Sequence, residues 1–245
     1  TSNSSRVHFS AREPSPPNGD GGLDAFHLSA SSGVREPRSK ELGACSLTFL
    51  HANVQGFTSK SAEIAHMIEQ QGYPSFVGFT ESFLDPSKPA HLDGYVLIAR
   101  LDRRTGERQG GILLFARQGF ENSVVHIGNS AVHERSWFIV HTDRGPVCLA
   151  LWYRRPAKGE TKSIEDLYEE LATHGAQAIY TIIMGDMNVH EESWLRHSDG
   201  SSEEGRELHT FSVVTGLEER VSAPTRGENL LDLVLSDLAG DLKCS

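Results

Sequence analysis

Side chains with metal-binding or acid–base chemistry stand at the ends of apolar runs in this sequence. Five β-rich runs end in or contain such side chains, which are Asn53, Glu81, Tyr153, Asp186 with Asn188, and Asp232. If these runs are neighbouring strands, their ends meet at one edge of a sheet and the side chains converge. An acid embedded in an apolar run, such as Asp232 in 230–235, is stable there only when it is paired or coordinated. The pattern therefore predicts a polar site at one edge of a β-sheet system.

Oxygen-bearing side chains of this kind suit a hard cation. Mg²⁺ prefers carboxylate and carbonyl oxygens and keeps several waters, so we expect Glu81 and Asn53 to bind it, with Mn²⁺ as an alternative ion. A metal at this point would neutralise a phosphate oxygen. Asp186 would polarise a water molecule and Asn188 would hold a phosphate oxygen, so the predicted reaction is hydrolysis of a phosphodiester. Each residue alone also fits a turn, a helix cap or the core, and only the set favours catalysis.

The elements that must position these side chains alternate short strands with helical patterns. Apolar periodicity predicts helices at 59–71, 164–173 and 203–214. It predicts strands at 46–50, 75–80, 95–100, 111–116, 124–127, 137–141, 147–152, 179–184 and 231–235. Strands outnumber helices and often follow one another directly. This favours an α/β fold with a mixed or antiparallel sheet system over a Rossmann fold.

Composition separates the chain into two parts and excludes some classes of protein function. Residues 1–44 are rich in Ser, Gly and Pro and are predicted to be a disordered tail, with a folded domain at 45–245. The 23 basic and 33 acidic residues give a net charge of −10. This charge excludes a generally basic nucleic-acid coat protein but not a nuclease with a local basic patch. No apolar run approaches the roughly 20 residues of a membrane span, and the three scattered cysteines argue against a disulfide scaffold.

The order of the motifs resembles the endonuclease/exonuclease/phosphatase superfamily, and most of all the endonuclease domain of non-LTR (LINE-type) retrotransposons. The segments that carry the resemblance are 50–56, 80–82, 153–156, 185–190, 205–208, 223–226 and 231–236. The most diagnostic is Gly185-Asp186-Met187-Asn188-Val189-His190. The resemblance implies an α/β fold in which a two-layer β-sandwich is flanked by helices, a four-layer αββα arrangement.

The resemblance also implies roles for individual residues. It places Glu81 and Asn53 at the metal, makes Asp186 the general base, and gives Asp232 the task of orienting a catalytic histidine. It assigns phosphate contacts to Asn188, Tyr153 and Thr225. The basic residues Arg154 and Arg155 follow Tyr153 directly, so they too are expected to contact phosphate or DNA, as is His190.

The chain departs from the family pattern at two points. Arg155 stands where the family has proline. The family's closing Ser-Asp-His is not found before Ser245, because Ser236-Asp237-Leu238 has leucine in place of histidine. We therefore expect a domain that lacks its C-terminal Ser-Asp-His segment. Loss of that histidine and of a core strand would weaken or abolish activity and reduce stability.

The predicted function is Mg²⁺-dependent nicking of DNA, the first step of target-primed reverse transcription by a retrotransposon polyprotein. Expected partners are a DNA substrate and a reverse transcriptase domain, with a monomeric chain, no membrane, and a nuclear or otherwise cytoplasmic location. Two alternatives stay open: a phosphodiesterase or phosphatase of the same superfamily acting on another phosphate ester, and a catalytically inactive nucleic-acid-binding fragment. A zinc site is not supported, because His190-Glu191-Glu192 lacks a second histidine at the required spacing.

Overall fold

Two six-stranded sheets form the centre of the molecule. The computed structural model describes residues 4–9, 47–103, 106–107, 109–238 and 242–244. Its strands are β1 Ser4–Phe9, β2 Thr48–Asn53, β3 Phe76–Thr80, β4 Tyr95–Leu101, β5 Ile112–Arg117, β6 Val124–Asn129, β7 Glu134–Thr142, β8 Gly145–Tyr153, β9 Tyr180–Asp186, β10 Glu218–Glu219, β11 Asp232–Ser236 and β12 Leu242–Cys244. The first sheet has the order β12-β1-β2-β3-β5-β4 and the second the order β10-β11-β9-β8-β7-β6.

Three helices cover the outer faces of the sheets. They are α1 Ser61–Gln70, α2 Lys162–His174 and α3 Glu203–Thr215. Helix α1 buries Ile64, Met67 and Ile68, whose helical spacing forms one apolar face against the first sheet. Ile164 of α2 and Phe211 of α3 join the core of the second sheet. The layers therefore run helix, sheet, sheet, helices, which confirms the predicted αββα architecture.

The capping of α3 agrees with its sequence. The Ser202 side chain accepts a hydrogen bond from the Gly205 amide at 3.0 Å, and the helix ends at Gly216 in the left-handed conformation.

No helix in the described ranges combines the length and apolar character needed to cross a membrane.

Two parallel strand pairs bring the predicted site residues together at one end of the strands. Strand β2 runs parallel to β3, so Asn53 lies beside Thr80, the residue before Glu81. Strand β8 runs parallel to β9, so Tyr153 lies beside Asp186. The antiparallel strand β11 begins at this same end with Asp232 opposite Asp186. Strand direction and register thus explain why residues far apart in sequence converge.

Of the tail predicted at residues 1–44, the structure describes only 4–9. These residues form β1, which pairs antiparallel with β2 and places Val7 opposite Phe49. Residues 4–9 therefore differ from the predicted disorder, because the free edge of β2 offers backbone groups with which even a short polar segment can pair. Residues 1–3 and 10–44 lie outside the described part of the chain, so the boundary at residue 45 stays a prediction.

Candidate active site

Asn53 links the two acidic residues that the sequence placed at strand ends. Its amide nitrogen donates to Glu81 Oε1 at 2.6 Å and to Asp186 Oδ2 at 2.5 Å. All three side chains are buried, and Asp186 has no solvent exposure at all. Because Asn53 ends β2 and Glu81 follows β3 in the first sheet, and Asp186 ends β9 in the second, the site lies where the two sheets meet.

Glu81 is held in this cluster under backbone strain. Its φ of +53° lies in the left-handed region, which costs a side-chain-bearing residue about 1–3 kcal/mol. Burial raises the pKa of the Glu81 carboxyl, the hydrogen bond from Asn53 opposes the shift, and the charge of Asp186 adds to it. Strain and burial at one carboxylate are typical of functional sites.

Asp232 adds a third buried carboxylate beside Asp186. Within the described residues neither of its carboxylate oxygens forms a hydrogen bond of ordinary geometry, although the Thr225 hydroxyl and His51 Nδ1 lie close to it. Burial raises the pKa of Asp232, and the negative charge of Asp186 raises it further, while Arg226 opposes both. An acid kept in such a place without a partner costs free energy unless a ligand compensates it.

His51 is the histidine that faces Asp232 within the described residues. Its Nδ1 lies 3.6 Å from Asp232 Oδ1, and its Nε2 lies 3.2 Å from the Thr80 hydroxyl. Burial, followed by the charge of Arg226, lowers the pKa of His51 to about 3, so its ring is neutral near pH 7. The ring is almost completely buried, as are the carboxylates of Asp186 and Asp232. The sequence analysis missed it, although a histidine inside an apolar strand carries the same signal as Asp232.

Tyr153 donates its hydroxyl hydrogen toward Glu81. Burial raises the pKa of Tyr153 well above its usual range, and the charges of Glu81, Asp186 and Glu134 act in the same direction. The phenol therefore stays protonated and can only donate to an anion. Glu134, which the sequence analysis also missed, lies opposite Tyr153 on β7 and accepts the Gly111 amide at 2.7 Å.

The segment that follows Asp186 turns sharply. Asn188 adopts a left-handed conformation with φ of +48°, and its Nδ2 donates to the Arg154 carbonyl at 2.8 Å. Just before it, Gly185 has φ of +150°, and a Cβ atom there would overlap the Trp152 backbone carbonyl. Glycine at 185 thus allows β9 to approach β8 closely at the point where Asp186 enters the site.

Thr225 fixes a polar loop onto the beginning of β11. Its Oγ1 accepts the amide hydrogens of Leu231 at 3.0 Å and of Asp232 at 2.9 Å. The next residue, Arg226, places Nη2 2.8 Å from Asp186 Oδ2. Arg226 belongs to a motif noted in the sequence, but no role was predicted for it there.

Arg154 lies inside the protein, which differs from the predicted contact with DNA. Its side chain is 2% exposed, and its guanidinium donates to the backbone carbonyls of Met187, Asn188, Ala157 and Glu160. Burial lowers the pKa of Arg154, but the charges of Glu160 and Glu204 oppose this. A guanidinium committed to these carbonyls holds the segment after Asp186 in place.

Arg155 and His190, the other residues predicted to contact DNA, also lie outside the acidic cluster. Arg155 forms ion pairs with Glu134 and Glu107. The His190 carbonyl accepts the Ser202 amide at 2.7 Å, and its ring Nδ1 is buried without a partner. These contacts leave the proposed DNA-binding roles of both residues as predictions.

The donor set of the cluster fits a hard divalent cation. Five buried oxygens lack a hydrogen-bond partner, namely Asn53 Oδ1, Glu81 Oε2, Asp186 Oδ1 and both carboxylate oxygens of Asp232. Within the described residues, no three His, Cys, Asp or Glu side chains form a preassembled metal cage. Carboxylate and carboxamide oxygens are the kinds of ligand that hard divalent cations take in proteins.

Two cavities lie near the strands and helices that surround the acidic cluster. One of about 270 Å³ adjoins the site and is lined by Tyr153 together with Glu134, Trp152 and Arg155. Another of about 500 Å³ lies between α3 and β10, beside the stacked rings of Trp194 and His209. The second cavity is lined by none of the predicted site residues, so the acidic cluster and not the larger cavity marks the candidate site.

Comparison with known proteins agrees with this geometry. Residues 147–241 match the family model described as endonuclease-reverse transcriptase. No curated protein matches the chain in sequence. The endonuclease domain of TRAS1, a telomere-specific non-LTR retrotransposon, superposes with a TM-score of 0.56 at 17% identity, covering 76% of this chain and 82% of that chain.

Two further solved structures have the same architecture. An AP endonuclease from Archaeoglobus fulgidus has a TM-score of 0.52 at 14% identity, covering 77% of this chain and 84% of that chain. An endonuclease/exonuclease/phosphatase family protein from Bacteroides thetaiotaomicron has a TM-score of 0.51 at 15% identity, covering 77% and 78%. At these identities the likeness concerns the fold. The chain thus has the fold of the endonuclease/exonuclease/phosphatase superfamily, and its residues 147–241 resemble the endonuclease-reverse transcriptase family in sequence.

Proposed function

We propose that this chain is a Mg²⁺-dependent endonuclease that nicks DNA, and that it is the endonuclease domain of a retrotransposon polyprotein whose reverse transcriptase extends the nicked end. The observation that carries the proposal is the group of five buried, unpartnered oxygens where the two sheets meet. Buried oxygens cost free energy without a partner, and a divalent cation is the partner that suits this set.

Glu81 and Asn53 would hold the metal. A bound Mg²⁺ would supply neutralising charge to a phosphate oxygen during displacement. The Asn53 amide nitrogen already contacts Glu81 and Asp186, so one side chain sets the spacing between the metal-binding carboxylate and the second acid. Precise spacing of this kind is what an in-line displacement requires.

We assign to Asp186 the role of accepting a proton from a water molecule. Its Oδ2 is held by Asn53 and Arg226, while its Oδ1 has no partner. One oxygen thus fixes the carboxylate and the other is free to act as the base. We assign Tyr153, Asn188 and Thr225 to the phosphate oxygens, which their hydroxyl and amide groups would contact in place of their present partners, and we assign Asp232 to the acidic side of the site.

A substrate panel tests the proposal. This chain would be incubated with supercoiled plasmid, linear duplex DNA, an RNA duplex and inositol phosphates, with Mg²⁺, with Mn²⁺ and with chelator. We expect metal-dependent conversion of supercoiled to nicked plasmid, lost in Glu81→Ala and Asp186→Ala. The control variant is Glu121→Ala, whose carboxylate is hydrogen-bonded to the Gly119 amide at 2.6 Å, away from the cluster.

The same panel decides between the alternatives. Faster turnover of an inositol phosphate or of RNA would favour another phosphate ester as the substrate. Binding of DNA without turnover in any metal would favour the inactive nucleic-acid-binding fragment.

A further inference from the structure

Arg226 sits on a tight turn that fixes its backbone. The amides of Thr225 and Arg226 both donate to the Asn229 carbonyl at 2.9 Å, and the Asn229 amide returns a bond of 3.0 Å to the Arg226 carbonyl. The Asn229 side chain also donates to Asp199 at 2.9 Å, which joins the turn to the loop that precedes α3. The hydrogen bonds of the turn at residues 225–229 therefore fix the backbone from which the Arg226 side chain extends.

The guanidinium of Arg226 lies partly on the acidic cluster and partly in solvent. Nη2 contacts Asp186 Oδ2 at 2.8 Å, and the side chain is 36% exposed while that of Asp186 is fully buried. Burial alone would lower the pKa of Arg226. The carboxylates of Asp186, Asp232 and Glu81 outweigh this effect, so the pKa of Arg226 is raised. The residue is a permanent cation at the mouth of a group of acids.

Most of the donors of this cation remain available. A guanidinium has five N–H groups, and among the described residues Arg226 donates one of them to Asp186. The side chain is 36% exposed, so its other donors can reach a ligand from solvent. The two arginines that follow Tyr153 differ, because Arg154 is committed to backbone carbonyls and Arg155 to two glutamates.

Charge makes this donor necessary for the chemistry. The three carboxylates of Glu81, Asp186 and Asp232 repel a phosphodiester that approaches the same point. A cation that faces both the acids and solvent offsets this repulsion, and its planar fork can contact a carboxylate with one arm and a phosphate oxygen with the other.

We propose that Arg226 is a phosphate-binding residue of this site, which contacts a non-bridging oxygen of the scissile phosphodiester and stabilises the negative charge that develops there. The inference rests on the proposed function, since it takes the same cluster as the place of hydrolysis. Arg226 transfers no proton and forms no bond to the substrate. It supplies an oriented donor whose removal typically costs about 10²–10³ in rate.

Binding in the absence of metal tests the proposal without relying on activity. The dissociation constant of a short DNA duplex would be measured against salt concentration, in chelator, for wild type, Arg226→Gln, Arg226→Lys and Arg117→Gln. Arg117 is the matched control, because it ends β5 at the opposite edge of the sheet and its guanidinium contacts the Tyr73 carbonyl. We expect Arg226→Gln to reduce the slope of log affinity against log salt by about one. Arg226→Lys keeps the slope, and Arg117→Gln leaves it unchanged.

Nicking rates then separate this proposal from the proposed function. We expect Arg226→Lys, which keeps charge but loses the planar fork, to retain DNA affinity and lose about tenfold or more in kcat. Equal slopes for Arg226→Gln and Arg117→Gln would overturn the phosphate contact even if Glu81→Ala abolished nicking. A wild type that never nicks but shows the slope change would overturn the nuclease and keep Arg226 as a phosphate-binding residue.

Discussion

Asn53 and Asp186 are joined by a hydrogen bond of 2.5 Å although 133 residues separate them in sequence. The bond connects the end of a strand in the first sheet with the end of a strand in the second. It also ties the position of Asp186 to that of Glu81, because the same Asn53 nitrogen contacts both acids. The site therefore depends on how the two sheets pack, and not on either sheet alone.

We predict that the buried Asp232 carboxylate lowers the free energy of unfolding but is needed for nicking. Its carboxylate is buried next to Asp186, and the nearest histidine, His51, is neutral, so Asp232→Asn removes a poorly compensated charge without changing shape. We expect the free energy of unfolding at pH 8 to rise by on the order of 1 kcal/mol or more, while nicking falls. Urea denaturation and a plasmid assay measure the two effects.

Asp237→Asn is the matched control for that experiment. Asp237 accepts the Thr181 amide at 2.7 Å, so its carboxylate is satisfied and the substitution should destabilise. A loss of stability in Asp232→Asn equal to that in Asp237→Asn would show that Asp232 is an ordinary structural acid.

Gly185 is predicted to be irreplaceable for steric reasons. A Cβ atom at this residue would overlap the Trp152 carbonyl, and the backbone on both sides belongs to paired strands. Gly185→Ala should therefore destabilise by about 3 kcal/mol or more. Gly216→Ala is the control, because Gly216 is also left-handed but has open space around it, and it should cost about 1–2 kcal/mol. Thermal denaturation that ranks the two variants in the opposite order would contradict the close approach of β8 and β9.

Glu219 is predicted to make stability depend on pH. Burial raises the pKa of Glu219 to about 8 from 4.5, although the amide of Val221 donates to its carboxylate at 2.6 Å. The folded protein thus holds a proton that the unfolded chain has lost between these pH values. The contribution of Glu219 to the free energy of unfolding therefore falls as pH rises through this window.

Glu219→Gln removes the titration and keeps an acceptor oxygen. The stability of wild type relative to this variant should fall between pH 5 and 8, by up to about 1.4 kcal/mol per pH unit. Urea midpoints at three pH values in this range measure the difference. Parallel stability curves would mean that Glu219 is ionised at every pH tested.

Strand periodicity and polar residues at strand ends predicted the convergence of Asn53, Glu81, Asp186 and Asp232. Parallel pairing of β2 with β3 and of β8 with β9 brings the ends of these strands together, and the antiparallel strand β11 begins at the same place. The pattern did not predict β10, since a two-residue strand has no period. It did not predict β1, whose pairing with β2 depends on an available edge and not on its own apolar content.

Long-range contacts explain the residues that the sequence analysis missed or placed differently. Arg226 contacts Asp186, although 40 residues separate them in sequence. No sequence pattern around either residue predicts that contact. Arg154 was assigned to DNA because it follows Tyr153, but the turn after Asp186 closes over it and supplies carbonyl acceptors. Proximity in sequence to a site residue therefore did not decide which arginine faces the site.

The central claim is that Glu81 binds the metal while Asp186 acts on water, and a Mg²⁺ titration of plasmid nicking tests it most directly. Rates would be measured over a wide range of Mg²⁺ for wild type, Glu81→Gln and Asp186→Asn. We expect Glu81→Gln to shift half-maximal activity to higher Mg²⁺, and Asp186→Asn to lower the maximal rate by about 10² or more without that shift. Wild-type activity that is independent of Mg²⁺, or a half-maximal Mg²⁺ concentration that is the same in Glu81→Gln and wild type, would contradict the account.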